Sequence, residues 1–197
     1  DTTTHYEDDY GTADADYEYE TDSYSIFGQI AHDFSTETRL IIGLRYEYHE
    51  VNQNTKSVEG VDYYDGKLTN EDSDQSSSLW GGKITLEHDL TPEQMIFTSF
   101  ARGYKAAGAN GGIFREEGDP LTYDDETLYN FEVGLRSEWF DAAVISQVTA
   151  FYLYRDDPQL RDSNGSGGFF HYFTDNGDEA EHYGLEAEAT WYISQGW

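Results

Sequence analysis

Residues Arg39 to Val51 read RLIIGLRYEYHEV, and alternate positions of that stretch belong to two different environments. Leu40, Ile42, Leu44, Tyr46 and Tyr48 form one set; Ile41, Gly43, Arg45, Glu47 and His49 form the other. Successive side chains of an extended chain point to opposite faces, so this period-two pattern predicts a strand with one apolar face. The three- and four-residue apolar spacing of a helix is missing. The stretch is also long enough for a tilted strand to cross a membrane, which takes roughly ten residues.

The alternation recurs downstream. From Thr127 to Trp139, Tyr129, Phe131, Val133 and Leu135 oppose Asn130, Glu132, Gly134 and Arg136. From Tyr183 to Ile193, Leu185, Ala187, Ala189 and Trp191 oppose Gly184, Glu186, Glu188 and Thr190. Four further strands are expected over Ser23–Phe34, Leu79–Leu90, Gln94–Lys105 and Ala142–Arg155; in the last, both faces carry apolar residues and the outward one stays open. No helix is expected. Short connections (Ser35–Thr38, Thr91–Glu93, Phe140–Asp141) alternate with long polar ones (Asn52–Ser78, Ala106–Asp125, Asp156 to about His182). Consecutive antiparallel strands then collect the tight turns at one end and the long loops at the other, as in bacterial outer-membrane barrels. Tyr46, Tyr48, Tyr152 and Tyr154 fall near the long-loop ends of their strands, and Trp139, Phe140 and Trp191 near the tight-turn ends, as two interfacial aromatic girdles would. The fold expected is all-β: an antiparallel meander of about seven to eight long strands, part of a transmembrane β-barrel. Residues 1–22 are expected to form an acidic extracellular loop and residues 23–193 the strands, with tight periplasmic turns and long extracellular loops.

Composition narrows the function. The 197 residues carry 40 acidic and 11 basic side chains, a formal charge of −29, which argues against nucleic acid as a partner. An aromatic content of 16% with only 3 prolines argues against an acidic disordered tail. With no cysteine, disulfides, thiolate metal sites and cysteine nucleophiles are excluded. A mean hydropathy of −0.76 reads as soluble, but barrel strands are only half apolar. The N-terminal DTTTH has no initiator Met and no signal-peptide pattern, so either processing removed a leader or the chain is an internal piece.

The acid concentrates in the expected loops. Glu7, Asp8, Asp9, Asp14, Asp16, Glu18, Glu20 and Asp22 open the chain without a Lys or Arg among them. Such a surface serves solubility, attracts cationic ligands, or bridges to anionic lipopolysaccharide through divalent cations. No segment has EF-hand spacing, the six histidines show no metal-site spacing, and no cofactor is assigned. Tyr63, Tyr64, Phe114, Phe169, Phe170, His171 and Tyr172 are the candidate ligand-contacting residues, since exposed aromatics in loops offer stacking area; packing of the loops on themselves would use the same residues. No nucleophile–base or paired-carboxylate constellation stands out among the inward positions, so an enzyme is not expected.

Residues Ile96 to Gly111, IFTSFARGYKAAGANG, resemble a recurrent barrel segment of TonB-dependent outer-membrane receptors, the siderophore receptors in particular, through Arg102, Gly103, Tyr104, Lys105, Ala106, Gly108 and Asn110. Ala107 and Ala109 stand where the family more often has a second Gly and an aromatic. In the family's order, SIFGQIAHDF (25–34) and LIIGLRYEY (40–48) precede it. Glu126, Asn130, Phe131, Glu132, Gly134 and Arg136 follow, then Ala150–Tyr152 with Asp156, Asp157 and Gln159, then Asn176, Gly177, Tyr183, Gly184, Glu186 and Glu188. The resemblance implies a barrel of about 22 strands with a plugged lumen. It also implies TonB-dependent uptake of a scarce nutrient, a ferric siderophore foremost, in the outer membrane of a Gram-negative bacterium among lipid and lipopolysaccharide. TonB would act through a plug domain; neither a plug nor a TonB box is readable in these residues. Two other readings stay open: a self-contained small barrel, porin-like or adhesive, and a soluble acidic β-sandwich binding carbohydrate or Ca2+.

Overall fold

The computed structural model describes residues 2–8, 11–58, 71–111, 119–164 and 171–193. They form β1 (Thr2–Asp8), β2 (Gly11–Asp33), β3 (Thr38–Val58), β4 (Glu71–Thr91), β5 (Gln94–Lys105), β6 (Gly108–Ala109), β7 (Thr122–Tyr123), β8 (Glu126–Trp139), β9 (Val144–Asp156), β10 (Gln159–Asn164), β11 (His171–Asn176) and β12 (Glu179–Trp191). Eight of these make one antiparallel sheet in the order β1-β2-β3-β4-β5-β8-β9-β12. β1 pairs only with residues 11–17 of β2, so seven strands run its full height. The remaining four are two small hairpins, β6–β7 and β10–β11, set within the long connections.

Register turns the sequence alternation into continuous rows. Ile30, Ile42, Ile84, Phe100, Phe131, Tyr152 and Tyr183 stand opposite one another across all seven strands. The next row toward the tight turns is Leu40, Leu86, Thr98, Val133, Ala150 and Leu185. These side chains are bare: Ile30 is 68% exposed, Tyr183 78% and Leu185 77%. An apolar face of that extent is unfavourable in water and is what a strand presents to lipid. From Tyr129 to Trp139 the face spans ten residue-to-residue steps, about 33 Å of strand, or about 25 Å once tilted by roughly 40°, the height of an outer-membrane apolar band. Among the described residues the buried hydrophobic ones are few: Val51 and Leu79 on the inner face near the long-loop end, with Ala107 from the β5–β6 connection.

The strand left open by alternation is settled by register. In β9 the outward set is Val148, Ala150, Tyr152 and Tyr154, while Phe151 and Leu153 point inward. Phe151 pairs with Gly184 of β12, and an added Cβ there would stand 3.1 Å from its ring, so the inward aromatic fills the space left by a missing side chain. Phe97 lies over Gly134 in the same manner between β5 and β8.

Three expectations need correction. Residues 2–8 and 11–22, expected as an acidic loop, are strand. Residues 52–58 and 71–78, expected within a long loop, continue β3 and β4, with Asn52 opposite Asp74 and Asn54 opposite Asp72. β12 begins at Glu179 rather than Tyr183. The cause is common to all three. Beyond the apolar band neither face touches lipid, so both become polar and alternation disappears, while backbone pairing continues regardless of side chain.

Candidate functional site

The long-loop end is organised around one carboxylate. Glu126, the first residue of β8, lies three residues beyond the aromatic Tyr129 and so outside the apolar band, and its side chain is completely buried. Arg155 of β9 grips it with both forks, Nε to Oε1 at 2.6 Å and a terminal nitrogen to Oε2 at 2.8 Å. Lys105 of β5 reaches Oε2 at 3.1 Å, and the backbone N–H of Gln159 donates to the same oxygen at 2.9 Å. The Arg155 bond first, then the Gln159 amide and Lys105, hold its carboxyl down to about 2 against the opposing effect of burial.

From that foot a set of amides binds the two long connections together. Gln159 donates to the carbonyls of Ala106 (2.8 Å) and Asp124 (3.0 Å), the two ends of the β5–β8 connection. Asn176 accepts from the Asp124 N–H at 2.7 Å and donates to the carbonyls of Asp124 (3.1 Å) and Asp157 (2.9 Å). Asn110 donates to the carbonyls of Pro120 (3.0 Å) and Thr174 (2.7 Å) and accepts from the Thr174 N–H at 2.7 Å. Gln53 of β3 donates to the Asn110 carbonyl at 3.3 Å, which fixes this body to the inner face. Tyr123 packs over Gly108, where a Cβ would collide with its hydroxyl.

The motif residues thus divide by role. Lys105, Gly108 and Asn110 build the loop platform. Asn130, Glu132 and Gly134 belong to the inner wall, where Glu132 accepts from Asn130 (2.7 Å) and Ser99 (3.0 Å) and faces Lys83 at 3.8 Å. Gly103 leaves room for Leu128, and Gly184 for Phe151. Tyr104 donates to Glu47 at 3.0 Å and accepts from Arg45 at the same distance. Glu186 faces inward and Tyr183 outward, while Arg102 stands on the outer face. Arg155, Gln53 and Thr174 complete the network, and no motif marked them. For Arg155 the available signal was register, since an antiparallel β8–β9 pair sets it opposite Leu128, near Glu126.

Of the candidate ligand contacts, Tyr63, Tyr64, Phe114, Phe169 and Phe170 lie outside the described residues. The His171 backbone opens β11. Tyr172 is exposed, with the Arg161 guanidinium 4.2 Å from its ring centre. Among the described residues no three His, Asp or Glu side chains gather as a metal site.

A wall of antiparallel strands with a lipid-facing apolar band, a polar inner face and its long loops sorted to one end defines a transmembrane β-barrel of the outer-membrane kind. The chain belongs to the TonB-dependent receptor β-barrel family: the family described as TonB dependent receptor-like, beta-barrel matches residues 1–197. Its members are outer-membrane proteins of Gram-negative bacteria, transport receptors rather than enzymes. Pesticin receptors of Yersinia enterocolitica and Yersinia pestis are 31% identical over 139 residues, covering 68% of this chain and 20% of theirs. The chain therefore spans about a fifth of the length of these relatives. The ferric yersiniabactin uptake receptor FyuA of Yersinia pestis shares the fold with a TM-score of 0.74 at 21% identity, over 98% of this chain and 28% of that one. The ferric-catecholate import receptor Fiu of E. coli K12 gives a TM-score of 0.62 at 14% identity, over 93% and 26%. Neither the self-contained small barrel nor the soluble sandwich is favoured by this assignment.

Proposed function

We propose that this chain forms part of the barrel of a receptor that imports a scarce nutrient, a ferric siderophore, across the outer membrane with energy delivered by TonB through a plug domain. The observation that carries this reading is the family match over the whole chain, supported by relatives that are themselves named as receptors. The protein is not an enzyme in this reading, and nucleic acid is not a partner. The long-loop end faces the exterior and the tight turns the periplasm, with lipid and lipopolysaccharide around the apolar band. Ligand is met by the loop aromatics Tyr63, Tyr64, Phe114, Phe169, Phe170 and Tyr172, with His171, and the platform that Asn110, Gln159 and Asn176 hold together carries Tyr172. Tyr172 supports this role because it is exposed and already engages a cation on one face.

The test is uptake of radio-iron by an iron-starved strain lacking the full-length receptor, complemented with wild type or Tyr172→Ala and offered a panel of ferric siderophores. Wild type restores uptake of at least one member, and Tyr172→Ala raises the half-saturating concentration by about tenfold, the worth of about 1.4 kcal/mol of stacking. No restoration with any ferric siderophore would refute the iron cargo.

A further inference from the structure

In the spanning strands the basic residues stand on the inner face: Arg39, Arg45 and Lys83 in β3 and β4, Lys105 in β5, Arg136 in β8 and Arg155 in β9. Among the described residues from the tight turns up to the Tyr129 row, Arg102 is the exception. It sits in the outer row of Gly28, Leu44, Gly82, Tyr129 and Tyr154. A cation on the lipid face is costly at mid-membrane and nearly free at the interface. Arg102 is opposite Tyr129, at the upper limit of the apolar band, where lipid phosphates begin.

Its guanidinium is held in one place. It lies 4.2 Å from the Trp80 ring centre and 5.9 Å from that of Tyr129, and it donates to the Trp80 carbonyl and to Thr127 Oγ1. A guanidinium has five N–H groups, so each terminal nitrogen retains one to offer outward. Beside it the outer face is notched over Gly28 and Leu44, beneath Ile26, Tyr46 and Trp80; the Leu44 side chain covers Gly82, but nothing lies within 4 Å of where a Gly28 side chain would begin.

We propose that Arg102 binds the phosphate of a membrane lipid in the leaflet at the long-loop end, with an acyl chain of that lipid seated in the notch over Gly28, beneath Ile26, Tyr46 and Trp80. A soluble anion is a poor occupant. The chain carries −29, and the outer face above the notch pairs Asp22 with Glu50, so an aqueous anion approaches against repulsion with no apolar contact to hold it. A lipid arrives from the side along the apolar band and adds chain burial to the charge pair.

The test uses the full-length receptor, delipidated in neutral detergent and titrated with phosphatidic acid or with diacylglycerol of the same chains, bound copies being counted by native mass spectrometry. Wild type retains a phosphatidic acid that diacylglycerol does not replace; Arg102→Gln lowers that retention by about fivefold, the effect of one basic residue at an anionic membrane surface, and Arg102→Lys keeps most of it. Gly28→Leu, which fills open space and leaves the cation in place, also lowers it. Equal retention by wild type, Arg102→Gln and Gly28→Leu overturns the proposal. So does displacement of the lipid by millimolar inorganic phosphate, which would make the site one for free anions.

Discussion

At the tight-turn end, three connections of four residues or fewer close on their own backbone; at the other end, two connections of about twenty residues depend on amides and charges drawn from neighbouring strands. The Phe34 N–H donates to the Thr38 carbonyl at 2.8 Å and the Ala143 N–H to the Phe140 carbonyl at 3.1 Å, while the side-chain bonds there, Ser35 and Thr36 to Glu37 and Thr91 to Glu93, stay within the turn and are exposed. The last carbonyl of each turn then accepts an N–H from the next hairpin: Glu37 from Asp89, Glu93 from Glu138, Ala143 from Tyr192. Backbone closure of this kind tolerates many sequences. Closure by Asn110, Gln159, Asn176 and Glu126 does not, because each of those side chains has a shape that its partners require. The end to which ligand binding is assigned in our proposal is thus also the end whose architecture depends on particular side chains, and the two ends should respond differently to substitution.

The largest effect is expected from Glu126→Ala. Removing a buried carboxylate leaves Arg155 and Lys105 facing each other without a counter-charge, a cost of about 3 kcal/mol, at the low end for buried pairs because Lys105 is half exposed and can turn to water. In hydrogen exchange on the full-length receptor, residues 106–111, 119–125 and 157–164 should lose protection together while the turns at 34–38 and 91–94 keep theirs. Unequal loss between the two loops would break the view of them as one body. Acid should do the same to the wild type. A carboxyl held at about 2 contributes fully above its ordinary value of 4.5, and that contribution is lost as pH falls from about 4.5 through 2. Loop protection that vanished already at pH 6 would point to another group.

Glycine substitutions sharpen the contrast within the wall itself. Gly134→Ala drives a methyl into the Phe97 ring and against Thr149, so about 2 kcal/mol of overpacking is expected, whereas Gly28→Ala meets nothing within 4 Å and should be near neutral. The thermal loss of compact mobility of the barrel on gels reads both. Equal shifts would mean that the inner aromatics move aside freely.

Asn110→Ala comes next. It removes bonds to Pro120 and to both backbone groups of Thr174, and at about 1–2 kcal/mol it should free β11 from the β5–β8 connection without opening the Glu126 foot. Exchange at Thr174 should rise while that at Gln159 stays slow. Simultaneous exposure of both would merge two locks into one.

How far the sequence could be read follows from the same physics. Arg39–Val51 and Thr127–Trp139 were legible because lipid on one side and polar lumen on the other impose alternation, and β5 appears over the expected Gln94–Lys105. Residues 11–22 and 71–78 were illegible because nothing imposes alternation above the membrane. The motif residues were visible as a pattern, but their roles were not: Asn110 and Lys105 read as members of a run, and only register brings Lys105 beside Glu126, with Arg155 from a strand apart in sequence. The inward Phe151 confused the face assignment because its reason, the absent side chain of Gly184, lies on another strand.

The smallest effect, and one of opposite sign, is expected at the tight-turn end. Phe140, Asp141 and Ala142 take φ values of 56°, 56° and 64°, a left-handed conformation that costs a side-chain-bearing residue about 1–2 kcal/mol and glycine almost nothing. Ala142→Gly relieves that cost at one position, but glycine also gives the unfolded chain more freedom, by about 0.4–1 kcal/mol. The remainder is a stabilisation of about 0.5 kcal/mol, seen as a slightly higher unfolding temperature on the same gels. The Ala143 N–H to Phe140 carbonyl bond of 3.1 Å, a backbone contact, survives the change. A loss of stability instead would mean that the methyl of Ala142 contributes packing that offsets its strain, and that even the backbone-closed end relies on side chains.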